Sequence, residues 1–234
     1  MVLERKVGVS ITDLQGQYND IAENRLRGLE SEDVRNTLIG LMGFMQMYNG
    51  AMKEISTKLE VLDDEFQIRR RHNPIHHMEC RIKSPRSIAE KMQRRGLQLS
   101  MGAVQEHIQD IAGIRVICNF LNDIYVVEQL LLKQVDVTLV RRKDYIVQPK
   151  ANGYRSLHLV VKVPVFLSDK TEEIPVEIQL RTMAMDYWAS LEHKLRYKNG
   201  GSDMREYAAM LLDCANTLAE TERTMQYIRE RVDE

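Results

Sequence analysis

Charged and hydroxyl side chains concentrate in three short segments of this 234-residue sequence. The first segment surrounds a predicted helix start and carries these cationic and hydroxyl residues: Arg81, Lys83, Ser84, Arg86, Ser87 and Lys91. Cationic groups, hydroxyls and the free backbone N–H groups of a helix N-terminus together favour phosphate binding. A solvated basic helix face has the same composition, so this segment alone leaves both interpretations open.

The second segment, residues 110–115, places a carboxylate at the beginning of a predicted strand. Asp110 is followed by small residues and then by Arg115. An aspartate in this position can hold Mg²⁺ while phosphate oxygens supply the remaining ligands. A strand-entry turn in which Asp110 pairs with a basic neighbour is the alternative.

The third segment, residues 143–158, combines cations, aromatic rings and a histidine. Its candidate nucleotide-binding residues are Lys143, Lys150, Asn152, Tyr154 and His158. The Asn152-Gly153 pair predicts a sharp reversal that leaves Tyr154 near its tip, where a ring could stack on a base. A plain hairpin turn with solvated charges is the alternative.

A polar face is predicted on the strand that follows the third segment. Glu177, Gln179 and Arg181 alternate with apolar residues, so their side chains share one face of a strand. That face is either the surface of a catalytic site or the exposed side of an edge strand.

Helices are predicted on both sides of these segments. Residues 34–71 carry apolar side chains three or four positions apart and predict one or two long amphipathic helices. Ser84, Pro85 and Gly96 predict the N-cap, the first turn and the C-cap of a short helix. A further helix is predicted at residues 101–109.

The fold class expected from the sequence is α/β (α+β), with a mixed β-sheet of about five strands flanked by helices. Predicted strands cover residues 113–120, 135–140, 155–166 and 174–180, and predicted helices cover residues 124–132, 184–197 and 205–231. A short polar turn joins the last two strands, so these should be antiparallel and the sheet mixed. We predict a single structural domain, with an N-terminal helical extension (1–71), a core (72–198) and a C-terminal helix (199–234).

Composition excludes several function classes. The 33 basic and 34 acidic residues give a net charge of −1, so no global attraction to nucleic acid or an anionic membrane is expected. The three cysteines form no CxxC pattern, which argues against a disulfide framework or a cysteine zinc site and favours the cytoplasm. No apolar run approaches the roughly 20 residues that span a bilayer. A P-loop sequence is also absent.

Taken in order, the segments resemble the synthetase domain of the RelA/SpoT-type alarmone synthetases. The matching motifs are Arg81-Ile82-Lys83-Ser84, Asp110-Ile111-Ala112-Gly113-Ile114-Arg115, Asn152-Gly153-Tyr154-Arg155-Ser156-Leu157-His158 and Glu177-Ile178-Gln179-Leu180-Arg181-Thr182. The resemblance covers residues 73–198 and implies a nucleotidyltransferase-like fold, Mg²⁺, a homotetramer and pyrophosphate transfer from ATP to GDP or GTP. The absence of a His-Asp dipeptide implies no hydrolase domain, and residues 72–75 are more similar to the RelP branch than to RelQ.

The resemblance also implies a role for each matching residue. Arg81 and Arg115 would enclose the adenine of ATP. The ATP phosphates would be held by Lys83, Ser87 and Lys91. Asp110 and Glu177 would bind Mg²⁺, with Glu177 as the candidate base for the acceptor 3′-hydroxyl. Tyr154 would stack on guanine, and the other contacts with the guanine nucleotide would come from Lys143, Lys150, Asn152 and His158. Gln179 and Arg181 belong to the same guanine-nucleotide site and would support its floor.

Two other functions are compatible with the same residues. A non-catalytic module could bind RNA or a guanine nucleotide through the Arg, Lys and Tyr mixture of residues 143–155. The near-zero net charge and the two acidic residues of the candidate metal site weaken that interpretation. A nucleotidyltransferase could instead use the acidic pair to transfer a nucleotidyl group, releasing pyrophosphate and not AMP. GDP or GTP preference and any allosteric alarmone site stay open.

Overall fold

The computed structural model describes residues 32–69, 72–98, 100–198 and 205–233. The elements in this part of the chain are α1 (Glu32–Arg69), β1 (Ile75–Ile82), α2 (Pro85–Arg94), α3 (Met101–His107), β2 (Ala112–Cys118), α4 (Leu121–Leu132), β3 (Thr138–Asp144), β4 (Leu157–Phe166), β5 (Thr171–Thr182), α5 (Met183–Lys198) and α6 (Arg205–Asp233). Residues 1–31 of the predicted N-terminal extension and residues 199–204 lie outside the described residues. The boundaries predicted at residues 72 and 198 stay a prediction.

The five strands form one mixed sheet in the order β1-β2-β5-β4-β3. Strands β2 and β5 are parallel, and every other neighbouring pair is antiparallel. The predicted mixed sheet is therefore confirmed. Strand β5 is central, so the polar face of Glu177, Gln179 and Arg181 does not belong to an edge strand.

Strand β1 is the element that the sequence did not predict. Its central residues, from His76 to Arg81, are mostly polar and lack the alternation of a half-buried strand. Pairing with β2 nevertheless extends along the strand, from Ile75 opposite Cys118 to Ile82 opposite Ala112. The tertiary partner thus determines this strand, and Arg81 lies within it and not in a loop.

Helix α1 covers the apolar face of the sheet. It is one continuous helix, and its fully or nearly buried residues recur every three or four positions: Met45, Tyr48, Met52, Ile55 and Leu59. They join the same hydrophobic cluster as Val176, Ile178 and Leu180 of β5. Met45 and Met52 of this helix are therefore core residues.

Two local boundaries differ from the sequence prediction. Ser84 is the N-cap of α2, as predicted, but the C-cap is Arg95, and Gly96 follows it with a φ of 66°. Gly96 thus occupies the left-handed position just beyond the cap, which glycine adopts at low cost. Residues 135–137 form a turn before β3, closed by a hydrogen bond from the Val137 N–H to the Gln134 carbonyl at 3.1 Å.

The cysteines and the helices bear on two expectations from the sequence. The cysteines Cys80, Cys118 and Cys214 are all free thiols. Within the described ranges, the helices are too short or too polar to cross a lipid bilayer.

Candidate functional site

A cleft of about 390 Å³ opens on the polar face of the sheet. Strand register explains its composition: Arg81 of β1 lies opposite Gly113 of β2, and Gly113 lies opposite Glu177 of β5. The predicted site residues that line the cleft are Arg81, Lys83, Asp110, Arg115, Glu177 and Gln179. Segments far apart in sequence therefore meet in one site.

Asp110 lines the cleft, and its carboxylate contacts two lysines. The Lys91 Nζ lies 2.8 Å from one Asp110 carboxylate oxygen, and the Lys83 Nζ contacts the other oxygen. Burial alone would raise the pKa of Asp110, but the hydrogen bonds and charges of both lysines outweigh it and hold the pKa below its ordinary value. Asp110 is therefore ionised at neutral pH. Phosphate oxygens can compete for the same ammonium groups and release the carboxylate for a cation.

Asp110→Asn is expected to lower stability at pH 7 by about 1 to 3 kcal/mol, because two hydrogen bonds to a charged group are weakened. The depressed pKa in the folded state means that this stabilisation exists above the ordinary aspartate pKa of about 3.9 and is lost as pH falls through the lower folded value. Urea unfolding of the wild type and of Asp110→Asn at a series of pH values measures the difference between their free energies of unfolding. This difference should become smaller only below pH 4. A constant difference across the series would contradict the assignment.

The two arginines predicted to enclose adenine lie on neighbouring strands. Arg81 is exposed, whereas Arg115 is held in place by two carboxylates. The Arg115 Nη1 donates to the Glu79 Oε2 at 3.0 Å and lies 3.5 Å from the Asp186 Oδ1. Glu79 and Asp186 were not among the predicted site residues. Glu79 lies on the unpredicted strand β1, and nothing in the spacing of Asp186 connects it with Arg115.

Glu177 interacts with Gln179 on its own strand and with His158 on the neighbouring strand β4. The Gln179 Nε2 donates to the Glu177 Oε2 at 3.0 Å, and the His158 Nδ1 lies 3.5 Å from the Glu177 Oε1. Burial would raise the pKa of Glu177, but the interactions with His158 and Gln179 outweigh it and the pKa lies below its ordinary value. Glu177 is thus an ionised carboxylate and a weak base.

The donor set of the cleft fits a divalent cation bound together with phosphate. Asp110 and Glu177 are the two carboxylates predicted for Mg²⁺, and both line the cleft in ionised form. Hard oxygen ligands suit Mg²⁺, which keeps positions for substrate phosphates or water. In the described ranges, no three acidic, histidine or cysteine residues converge on one point.

The loop predicted to bind a nucleotide reverses next to Tyr154. The chain reverses over Lys150–Gly153, where the Gly153 N–H donates to the Lys150 carbonyl at 2.8 Å. Tyr154 follows this turn and is half-buried, with its hydroxyl in hydrogen bonds and the Lys150 Nζ 4.5 Å from its ring centroid. It thus lies beside the tip of the reversal, with its ring partly covered by neighbouring side chains. Stacking on guanine stays a prediction, and it would use ring surface that Lys150 now approaches.

The other predicted acceptor residues surround this tyrosine. Lys143 is exposed on β3 and pairs in register with His158 of β4. The Asn152 side chain accepts from the Tyr154 N–H at 3.2 Å and donates to Glu192 at 3.4 Å. Ser87, predicted for ATP phosphates, accepts a hydrogen bond from the N-cap residue Ser84 at 3.0 Å. In the sheet, β1 and β2, near the residues predicted for ATP, lie on one side of the strand that carries Glu177. Strands β3 and β4, with the loop before β4, lie on the other side.

Gly153→Ala is expected to destabilise the protein by about 1 to 3 kcal/mol, through overpacking and a strained backbone. Gly153 has a φ of 88°, and a Cβ there would lie 2.6 Å from the Ala215 Cβ on α6. Thermal unfolding measures the loss. Gly43→Ala on α1 is the matched control, since its added Cβ meets no atom within 4 Å and should be neutral or stabilising. Equal melting temperatures for both variants would contradict the predicted clash.

Comparison with known proteins gives the same family as the motifs. Residues 80–202 match the family described as a region found in RelA / SpoT proteins. GTP pyrophosphokinase YwaC of Bacillus subtilis (strain 168) is 40% identical over 202 residues, covering 86% of this chain and 93% of that protein. GTP pyrophosphokinase YjbM of the same strain is 36% identical over 191 residues, covering 82% and 89%.

A solved structure extends this similarity to the fold. Small alarmone synthetase 1 from Bacillus subtilis, bound to its product pppGpp, superposes with a TM-score of 0.77 at 34% identity, covering 83% of this chain and 99% of that chain. These similarities do not separate RelP-like from RelQ-like members, so the subtype stays a prediction. The motif order, the mixed sheet and the extent of the match agree, and the chain belongs to the RelA/SpoT family.

Proposed function

We propose that this protein is a (p)ppGpp synthetase, a GTP diphosphokinase. It transfers the β,γ-pyrophosphate of ATP to the 3′-hydroxyl of GDP or GTP and releases AMP. The observation that carries this proposal is the pair of ionised carboxylates, Asp110 and Glu177, in one cleft. Lysines contact Asp110 on one side, and His158 of β4, which is hydrogen-bonded to Tyr154, lies beside Glu177 on the other. The similarity to named GTP pyrophosphokinases supports the same reaction.

ATP would bind at the β1–β2 side of the cleft. Lys83 precedes the N-terminus of α2, where phosphate charge is favoured, and Lys91 lies in the last turn of α2, with the ammonium groups of both lysines at Asp110. The exposed guanidinium of Arg81 and the anchored one of Arg115 lie on adjacent strands and offer planar surfaces to adenine. Ser87, in the first turn of α2, adds a hydroxyl near the phosphates.

The acceptor nucleotide would bind at the β4–β5 side. Tyr154 and Lys150 belong to the loop that leads into β4, and Lys143 extends from β3. Asn152 holds the loop through its contacts with the Tyr154 backbone and Glu192. This side offers an aromatic ring for a guanine base and ammonium groups for its phosphates.

Positioning and charge neutralisation account for most of the catalysis in this arrangement. Two polyanions must be aligned with the 3′-oxygen in line with the β-phosphorus of ATP, and the cationic side chains lower their repulsion. Glu177 would accept the hydroxyl proton once that hydroxyl is aligned. We infer that Asp110 and Glu177 hold Mg²⁺, which when bound would neutralise charge on phosphate oxygens.

We also propose a homotetramer. Helices α5 and α6 leave these large apolar side chains exposed: Leu191, Leu195, Met210, Ile228 and Val232. Such residues on two adjacent helices suit burial against further copies of the chain. Native mass measurement would return four chains, and a monomer at micromolar concentration would reject the proposal.

Product analysis separates the proposed reaction from its alternatives. Purified protein with ATP, GDP and Mg²⁺ should yield AMP and a pyrophosphorylated guanine nucleotide. Release of free pyrophosphate would indicate nucleotidyl transfer. Salt-dependent RNA binding without any nucleotide turnover would favour the non-catalytic module.

A further inference from the structure

A buried arginine lies behind Glu177 at the centre of a hydrogen-bond network. Arg181 is only 6% exposed, and its Nη1 donates to the Asp186 Oδ1 at 2.9 Å. Its Nη2 donates both to the Tyr154 hydroxyl at 2.8 Å and to the Gln179 Oε1 at 3.0 Å. Because Arg181 does not line the cleft, these partners leave it poorly placed to contact a nucleotide directly.

The first branch of the network determines the tautomer of His158. Arginine can only donate, so the Tyr154 oxygen accepts from Arg181. The tyrosine hydroxyl can then donate its hydrogen to the His158 Nε2, which lies 2.8 Å away, and the Glu177 carboxylate oxygen 3.5 Å from Nδ1 favours this direction because it attracts a proton on Nδ1. With Nε2 as an acceptor, the proton of the neutral imidazole is on Nδ1, the atom that lies 3.5 Å from the Glu177 Oε1.

The second branch determines the orientation of the Gln179 amide. Its oxygen accepts from Arg181, so its NH₂ group is directed to the opposite side. That group donates to the Glu177 Oε2 at 3.0 Å. A flipped amide would place two oxygens face to face at Glu177 and would direct an NH₂ group at the guanidinium.

We propose that Arg181 is a positioning residue, which acts through His158 and Gln179 to place one donor on each carboxylate oxygen of Glu177. The carboxylate plane is thereby fixed, and its remaining lone pairs are available to the reacting hydroxyl and a cation. This inference rests on the proposed synthetase reaction for its catalytic consequence. It specifies how Arg181 and Gln179 would support the guanine-nucleotide site, and it gives the Tyr154 hydroxyl a role separate from that of the ring.

Tyr154→Phe is the variant that tests the first branch, because it keeps the ring and removes only the hydroxyl. The expected kcat is lower by about 10- to 100-fold, the usual effect of losing a group that orients a ligand or catalytic residue. KM values for ATP and GDP should change little. Tyr187→Phe on the exposed face of α5 is the matched control and should retain the wild-type kcat.

Arg181→Lys tests both branches together. Lysine keeps the charge but lacks the planar fork that reaches Asp186, Tyr154 and Gln179 at once. A fall in kcat at least as large as that of Tyr154→Phe is expected, again with little change in KM. A large rise in the KM for GDP at unchanged kcat would show a nucleotide contact and overturn the proposal.

A measurement without substrate keeps the inference separate from the proposed function. Nitrogen-15 NMR of histidine-labelled protein at pH 8 should show His158 with a protonated Nδ1 and an unprotonated Nε2, assigned by loss of the signals in His158→Gln. In Tyr154→Phe the Nε2-protonated form should appear. A wild-type His158 protonated on Nε2 would overturn the inference. Absence of AMP formation with the expected tautomer would reject the synthetase reaction and leave the hydrogen-bond assignment standing.

Discussion

Glu177→Gln is expected to reduce AMP formation by about 10²- to 10⁴-fold, the range attributed to a positioned acid or base. The change keeps the shape of the side chain but removes its charge, its basicity and its capacity to bind a cation strongly. Glu177 can face both proposed substrates, since it lies on the strand between the Asp110 side and the His158 side. Steady-state AMP formation from ATP and GDP measures the effect.

Glu173→Gln is the matched control for this variant. Glu173 is an exposed residue of the same strand, so the same chemical change should leave the rate close to that of the wild type. Circular dichroism and thermal unfolding establish that both variants are folded. A near-normal rate for Glu177→Gln in folded protein would exclude Glu177 as base and metal ligand.

Tyr154→Ala is expected to weaken binding of the guanine acceptor by about 1 to 3 kcal/mol, the usual contribution of base–aromatic stacking. That corresponds to a rise of roughly 5- to 150-fold in the KM for GDP. ATP should be affected much less, because its proposed contacts come from β1, β2 and α2. Initial rates with each substrate varied separately measure both constants.

Comparison with Tyr154→Phe separates the ring from the hydroxyl. The alanine variant loses both, so its kcat should also fall, whereas the phenylalanine variant should keep the acceptor KM. Equal losses for ATP and GDP in Tyr154→Ala would contradict a guanine-specific role.

Motif spacing was sufficient to identify the candidate residues because their chemistry is local. Ser84 and Pro85 define a helix start by themselves, and the alternation of Glu177, Gln179 and Arg181 requires only the pleat of one strand. The order of the four motifs then indicated the family. The mixed sheet followed from one short turn between two strands.

Contacts between residues far apart in the chain could not be predicted from the sequence. Strand β1 has a polar pattern, and only its ladder with β2 makes it a strand. The contact of Asp186 with Arg115 joins a helix start to a strand 71 positions earlier in the chain, and no spacing rule predicts it. The packing of Gly153 against Ala215 likewise depends on where α6 lies. These contacts arise from tertiary structure, which overrides local propensity.

The most direct test of the proposed reaction is the identity of its product. Wild-type protein incubated with ATP, GDP and Mg²⁺ should form AMP and a guanine nucleotide heavier than GDP by two phosphate groups, in equal amounts. The 3′-deoxy analogue of GDP should give neither product, because the attacking oxygen is missing. Mass analysis of both reactions decides the question: equal AMP formation with and without the 3′-hydroxyl would contradict pyrophosphate transfer to that position.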